Sequence, residues 1–274
     1  GAENSLGGIA QAFADNIPIL VFLGGNSLNQ LSVKPNFNAV QRYQGWVKHI
    51  EAIYDPNQVG DVMRRAFHAL RNGAPGPVVI ELISDVCIQS VSEEAQNYTS
   101  PRLTRQIPEP LEIEATADAL LASKTPMIWA GAGVLFSGSS DALKELSQLT
   151  SIPVFCTMPG KSGFDERDPL SLGSGCGTTT QMAHEWIKYS DVILALGSSL
   201  TRSPYAQAIP KGKILIQNTN NPDDINKNEP IQINLVGDTK LTIENLITVI
   251  KKKTQNNGFG DLEKTASKIK MIKE

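Results

Sequence analysis

Glycines placed just after apolar runs are the residues of this 274-residue sequence whose type and spacing could do chemistry. Gly131-Ala132-Gly133 follows Met127-Ile128-Trp129, and Gly197-Ser198-Ser199 follows the run Val192 to Leu196. Glycine after a parallel strand permits a tight turn and close approach of a ligand, and the next helix N-terminus can hold a phosphate. A G-x-G pair also suits a plain strand exit, and neither a third glycine nor an acidic partner completes a dinucleotide fingerprint. Both readings stay open. Gly160 and Gly173-Ser174-Gly175-Cys176-Gly177 stand at similar places, so several loops could converge on one ligand crevice. Fold alone does not assign that ligand.

Other reactive side chains are scattered. His49, His68 and His184 have no serine or cysteine nucleophile at a recognisable spacing and read as surface or packing histidines. Arg64-Arg65 reads as a solvated face or a domain-contact pair. Cys87, Cys156 and Cys176 are far apart and odd in number, which points to free thiols in a reducing, cytoplasmic setting. No C-x-x-C, H-E-x-x-H or paired-histidine spacing suggests a metal site.

The elements that must position these residues follow from periodicity. Leu6, Ile9, Ala10 and Phe13 recur at helical spacing, and Ile17 to Leu23 reads as a buried strand closed by Gly24-Gly25. Asn26 to Asn38 reads as a loop. Asp55-Pro56 starts a helix lined by Val59, Val62, Met63, Ala66, Phe67 and Leu70, and Gly76-Pro77 leads into the strand Val78 to Leu82. After a polar, proline-bearing stretch, strands are expected at 127–129, 153–156, 192–196, 214–216 and 231–233. Helices are expected at 112–121, 142–149, 179–188 and 240–250. Such alternation implies a parallel sheet with helices on both faces. The tail from Lys251 reads as a solvated exit linker or frayed helix. The opening Gly1-Ala2-Glu3-Asn4 runs straight into a helix and strand, as in the middle of an α/β unit. The expectation is a piece of a longer protein whose first sheet is partial.

A hydrophobic fraction of 41% and a charged fraction of 19% describe an ordinary globular chain. A net charge of −3 argues against non-specific nucleic-acid binding. No apolar run approaches the ~20 residues of a membrane span.

Taken in order, these segments resemble the thiamine-diphosphate enzymes of the acetolactate synthase type. Gly1-Ala2-Glu3-Asn4 is similar to the family's G-A-x-N, and Ala14 to Gly25 to its helix-to-strand D-x-I-P segment. Val47-Lys48-His49 is similar to T-K-H, and Arg71 to Val78, closing on Asp85-Val86, to R-P-G-P-V and its terminal D-V. Ala130 to Val134, Ile152-Pro153-Val154, Gly160 to Phe164, Asp168-Pro169-Leu170, Asp191 to Gly197 and Val236-Gly237-Asp238 resemble the central domain. The resemblance implies an α/β chain. Residues 1–86 would be the C-terminal part of a pyrimidine-binding domain and 87–110 a linker. Residues 111–250 would be a complete, doubly wound Rossmann-like central domain and 251–274 an exit linker. It also implies thiamine diphosphate with Mg²⁺, a 2-oxo acid substrate, decarboxylation or carboligation, and a homodimer or homotetramer.

The family's activating glutamate would precede Gly1, and its metal motif, G-D-G followed by an asparagine, would follow Glu274. Gly60-Asp61, Gly237-Asp238 and Gly260-Asp261 do not continue to a glycine. No catalytic residue is therefore expected within the chain, and no turnover from it alone. Gly1 and Asn4 are the expected cofactor contacts, Asn4 also suiting a helix N-cap. Phe37-Asn38 and Gln41 stand where the family has Phe-Gln. FAD is disfavoured. Ser199 replaces an arginine, and Asn218-Thr219-Asn220 replaces D-I-D, which removes the groups expected at phosphate and ribose. The alternative is a nucleotide-binding module for FAD, NAD or ADP, with Gly131, Gly133, Gly175, Gly197 and Asn218 lining the cleft, or a structural α/β module.

Overall fold

The computed structural model describes residues 1–273. They form two compact units, Gly1–Arg105 and a second from Gln106 onward, each built on an all-parallel sheet.

In the first unit, β1 (Leu20–Gly25), β2 (His49–Ile53) and β3 (Val78–Ile83) are ordered β1-β3-β2. Val78, Val79 and Ile80 are fully buried in the middle strand, as expected where helices cover both sheet faces. Val78 and Ile80 meet α3 (Val59–Arg71) through Val62 and Ala66. Val79, pointing the other way, meets Ile9 of α1 (Leu6–Ala14) and Ala39 of the short α2 (Ala39–Arg42). The expected strand at Ile17 starts only at Leu20, because Asn16 takes a left-handed turn (φ 56°) and Ile19 donates to the Ile17 carbonyl. Asp55-Pro56 opens a 3-10 turn, Pro56–Gln58, that runs on into α3. Strand β2 was not anticipated: His-Ile-Glu-Ala-Ile is half polar and pairs with one neighbour only.

In the second unit the sheet order is β6-β5-β4-β7-β8-β9. The strands are β4 (Pro126–Ala130), β5 (Val154–Thr157), β6 (Ser171–Gly175), β7 (Val192–Leu196), β8 (Ile214–Thr219) and β9 (Ile233–Val236). The order reverses between β4 and β7, the switch point of a doubly wound sheet. One face is covered by α4 (Pro110–Ala122), α6 (Ser140–Thr150) and α8 (Thr239–Lys253), which pack Ile113, Leu120, Leu143, Leu146, Ile243 and Ile250 on Ile128, Leu194 and Ile216. The other face carries α7 (Gln181–Tyr189) and α9 (Leu262–Lys273), with Trp186, Ile187 and Ile269 over Met127, Trp129 and Ile193. The short α5 (Ala132–Phe136) follows β4.

The α/β class and its parallel sheets agree with expectation. Three local readings are corrected. Of Gly173 to Gly177, read as glycines at a strand end or on the loop after it, Gly173 to Gly175 lie within an unanticipated strand, β6 (Ser171–Gly175), on the sheet edge, where Thr157 pairs with Gly175. The strand expected at 231–233 begins at Ile233. The tail is not simply a solvated linker, since Leu262–Lys273 is a helix that buries Ile269 to 5% exposure.

Candidate functional site

In the first unit, Asn4 lies inside a 3-10 turn, Ala2–Ser5, with Gly1 at its head. Asn4 is exposed, and its N–H donates to the Gly1 carbonyl at 3.2 Å. The N-cap reading of Asn4 is therefore corrected: Ser5 precedes α1, and it caps without a side-chain bond. A side-chain cap is found at a different helix, α2, where Asn38 Oδ1 accepts from Gln41 N–H at 2.9 Å. Gln41 itself is exposed one turn along. Asn4 and Gln41 thus present amide groups to solvent, while the Asn38 amide oxygen is engaged.

Two residues overlooked in the sequence hold these segments. Glu81, 1% exposed in β3, accepts from the N–H groups of Ala39 and Val40 at 3.3 Å each. Its signal was a carboxylate inside the apolar run Val78–Ile83. Tyr43, fully buried, donates its hydroxyl to the Ala2 carbonyl and lies 3.1 Å from Ser5 Oγ. Nothing in its sequence surroundings marked it.

The K-H pair is a structural device. Lys48 Nζ donates to the carbonyls of Ala69 and Asn72 at the end of α3, a favoured place for a cation. Burial pulls its pKa below the ordinary lysine value. His49 Nε2 lies 3.3 Å from Glu51. The Arg65 guanidinium binds both Glu51 carboxylate oxygens, one through Nε and one through Nη2, and with His49 holds that carboxyl below its usual range against the opposing effect of burial. Arg64 pairs with Asp61 at 2.7 Å.

In the second unit, Gly131, Gly133, Gly197 and Asn218 are brought together at the switch point. A side chain on Gly131 would lie 2.3 Å from the Gly197 carbonyl oxygen, and one on Gly133 would lie 2.6 Å from Gly197 Cα. Gly197 has φ 59°, which favours glycine. The backbones bond to each other: Gly131 N–H to Leu196 O and Gly133 N–H to Gly197 O, both at 2.9 Å. Val134 N–H returns to Gly131 O at 3.2 Å. These glycines serve close backbone packing, and the Gly131, Gly133 and Val134 amides are engaged within the turn. Asn218 is 0% exposed. Its Oδ1 accepts from Gly197 N–H at 3.2 Å, and its Nδ2 donates to Leu235 O, Gly237 O and Thr242 Oγ1 at 2.9–3.1 Å. It ties three turns together instead of facing a ligand. Gly175 ends the edge strand β6, apart from this group, with Thr178 and Thr179 against it.

Among the described residues, no three His, Cys, Asp or Glu side chains stand together as a metal site. Among them, too, no helix is long and apolar enough to cross a membrane.

Comparison with known proteins adds relatives. Residues 113–246 match the family model described as thiamine pyrophosphate enzyme, central domain. The chain is 31% identical, over 91% of its length, to the "Probable acetolactate synthase large subunit" of Methanocaldococcus jannaschii, of which it covers 44%. It is 26% identical, over 96% of its length, to the acetolactate synthase isozyme 3 large subunit of Escherichia coli, of which it covers 47%. In fold it is similar to benzoylformate decarboxylase from Polynucleobacter necessarius. The TM-score is 0.78 at 22% identity, over 95% of this chain and 50% of that one. The chain spans about half the length of the curated relatives it matches.

Proposed function

We propose that this chain, whose residues 113–246 belong to the thiamine pyrophosphate enzymes as their central domain, supplies about half of an acetolactate-synthase-like, thiamine-diphosphate-dependent enzyme. That enzyme would decarboxylate or ligate 2-oxo acids. The observation that carries the proposal is the match over 91% of the chain, reaching beyond the central domain into the first unit, to a protein described as an acetolactate synthase large subunit.

Thiamine diphosphate, when bound, supplies the electron sink that 2-oxo acid decarboxylation needs. The residues of the first unit fit one end of it. Asn4 and Gln41 are exposed, uncharged amides that can donate to and accept from an aminopyrimidine. Gly1 and Asn38 would shape the same surface as turn and cap. Their part is to bind and orient. Mg²⁺ and the diphosphate would, in this proposal, be held by other parts of the assembled enzyme, where the resemblance puts the metal motif.

FAD, or another nucleotide at the second unit, fits poorly. Asn218 is buried and fully bonded, and the glycine turns close on each other. A second copy of the protein is part of the proposal, and exposed Phe13, Phe22 and Trp46 in the first unit support it. The test is thiamine-dependent decarboxylation of a 2-oxo acid panel by the complete natural polypeptide containing these residues.

A further inference from the structure

We infer that Glu81 and Tyr43 are positioning residues that hold the amides of Asn4, Asn38 and Gln41 in one fixed array, an inference that rests on the proposed cofactor role of those amides.

Glu81 is out of place by composition. It occupies a central strand between Ile80 and Leu82, at 1% exposure, and burying a carboxylate is costly unless it is bonded. Its two oxygens each take one amide of the first turn of α2, those of Ala39 and Val40. Space for it is reserved. A side chain on Gly25, at the end of β1, would come within 2.9 Å of Glu81 Cγ and 3.0 Å of Oε1. One end of the segment 37–43 is thereby tied to β3. Asn26 Nδ2 adds a bond to Phe37 O at 2.9 Å.

The other end of the segment is tied to the first turn of the chain. The Tyr43 ring is fully buried, with Phe37 edge-on at 5.8 Å. Its hydroxyl donates to Ala2 O and meets Ser5 Oγ, which itself donates to Ala2 O at 2.6 Å. Ala2 and Ser5 bracket Asn4. A continuous set of contacts thus runs from β3 through Glu81, α2 and Tyr43 to the turn carrying Asn4. Asn38 and Gln41 lie on the middle link. Exposed amides gain affinity when their backbone is fixed before binding, because less ordering remains at the moment of contact.

The test is a double-mutant cycle in the complete polypeptide. Thiamine diphosphate affinity is read by titration calorimetry with Mg²⁺ present, and the melting temperature is read without cofactor. Tyr43→Phe keeps the ring and removes the hydroxyl. The expected result is affinity weakened about 5- to 10-fold, as for one lost hydrogen bond. In an Asn4→Ala background the same change should weaken affinity less than about 2-fold, because the two act through one contact. Ser5→Ala should act in the same direction more weakly, and serves if Tyr43→Phe does not fold. Equal losses in both backgrounds, or no loss in either, would overturn the positioning role. So would an Asn4→Ala variant that binds like the unaltered protein. If Asn4→Ala weakens binding while the Tyr43 effect is merely additive, the cofactor reading survives without the positioning role. No thiamine diphosphate binding by the unaltered polypeptide would remove both.

Discussion

At the scale of single residues, the glycines and asparagine that first suggested a nucleotide cleft have a packing role. Gly133 is a clear case. A Cβ there would fall 2.6 Å from Gly197 Cα and 3.0 Å from its carbonyl oxygen, so neither backbone can accept it without moving. Gly133→Ala is expected to destabilise the second unit by about 1–3 kcal/mol, as overpacking does. Thermal unfolding of the variant checks this, and an unchanged melting temperature would contradict the packing role. Asp191 is a second structural residue. Its carboxylate accepts from Ser123 Oγ, from Lys124 N–H at 2.8 Å and from Thr125 N–H at 3.0 Å, joining the entries of β4 and β7. Burial pushes its pKa up, but these bonds outweigh burial and bring it down to about 2. A carboxyl depressed on folding stabilises above its ordinary pKa of about 3.9, and that stability is lost as pH falls towards the folded value. Asp191→Asn is expected to cost about 1 kcal/mol at pH 7, after discounting for solvent screening. The difference from the unaltered protein should shrink between pH ~4 and ~2. A difference independent of pH over that range would show that the charge is not what matters.

At the scale of elements, regular β/α alternation was legible and edges were not. The strand Val192–Leu196 has the bounds read from its five apolar residues, which are buried on both faces. Helices α4, α6, α7 and α8 fall within a few residues of expectation because their apolar faces repeat at helical spacing. Strands β2 and β6 escaped because edge strands need no continuous apolar run, and Ser-Leu-Gly-Ser-Gly reads as a turn. Helix α9 falls in a tail that read only as a solvated linker or frayed helix, because its sequence is rich in lysine, while Ile269 and Ile272 meet the Trp186 cluster. Lys268 Nζ also sits 4.6 Å from the Trp186 ring centroid. Ile269→Ala is expected to speed amide exchange in α9 by roughly 30-fold, the loss of ~2 kcal/mol of local packing, and to leave β4 and β7 protected. Unchanged exchange in α9 would mean that Ile269 does not anchor it. The family-like V-G-D segment was legible as a motif but not as a mechanism. Gly237 leaves room for Gln106 O and Pro108, and Asp238 caps α8 by accepting from Leu241 N–H at 3.0 Å. Asn4, Asn38 and Gln41 were picked out in the sequence, by resemblance, as proposed cofactor contacts. Their supports were not, since Tyr43 bonds to Ala2 across 41 positions of sequence and Glu81 to Ala39 across 42.

At the scale of the whole molecule, the central domain brings a sheet whose switch-point turns are locked by glycine and Asn218, and the first unit brings uncharged amides on an ordered segment. In the proposed enzyme they would contribute binding and orientation; the curated relatives are about twice the length of this chain. The most direct test is CO₂ release from a panel of 2-oxo acids by the complete natural polypeptide containing these residues, with and without added thiamine diphosphate and Mg²⁺. The account predicts release from at least one 2-oxo acid, abolished when thiamine diphosphate is withheld. No release from any member of the panel by folded, cofactor-supplied protein, or release indifferent to the cofactor, would contradict it.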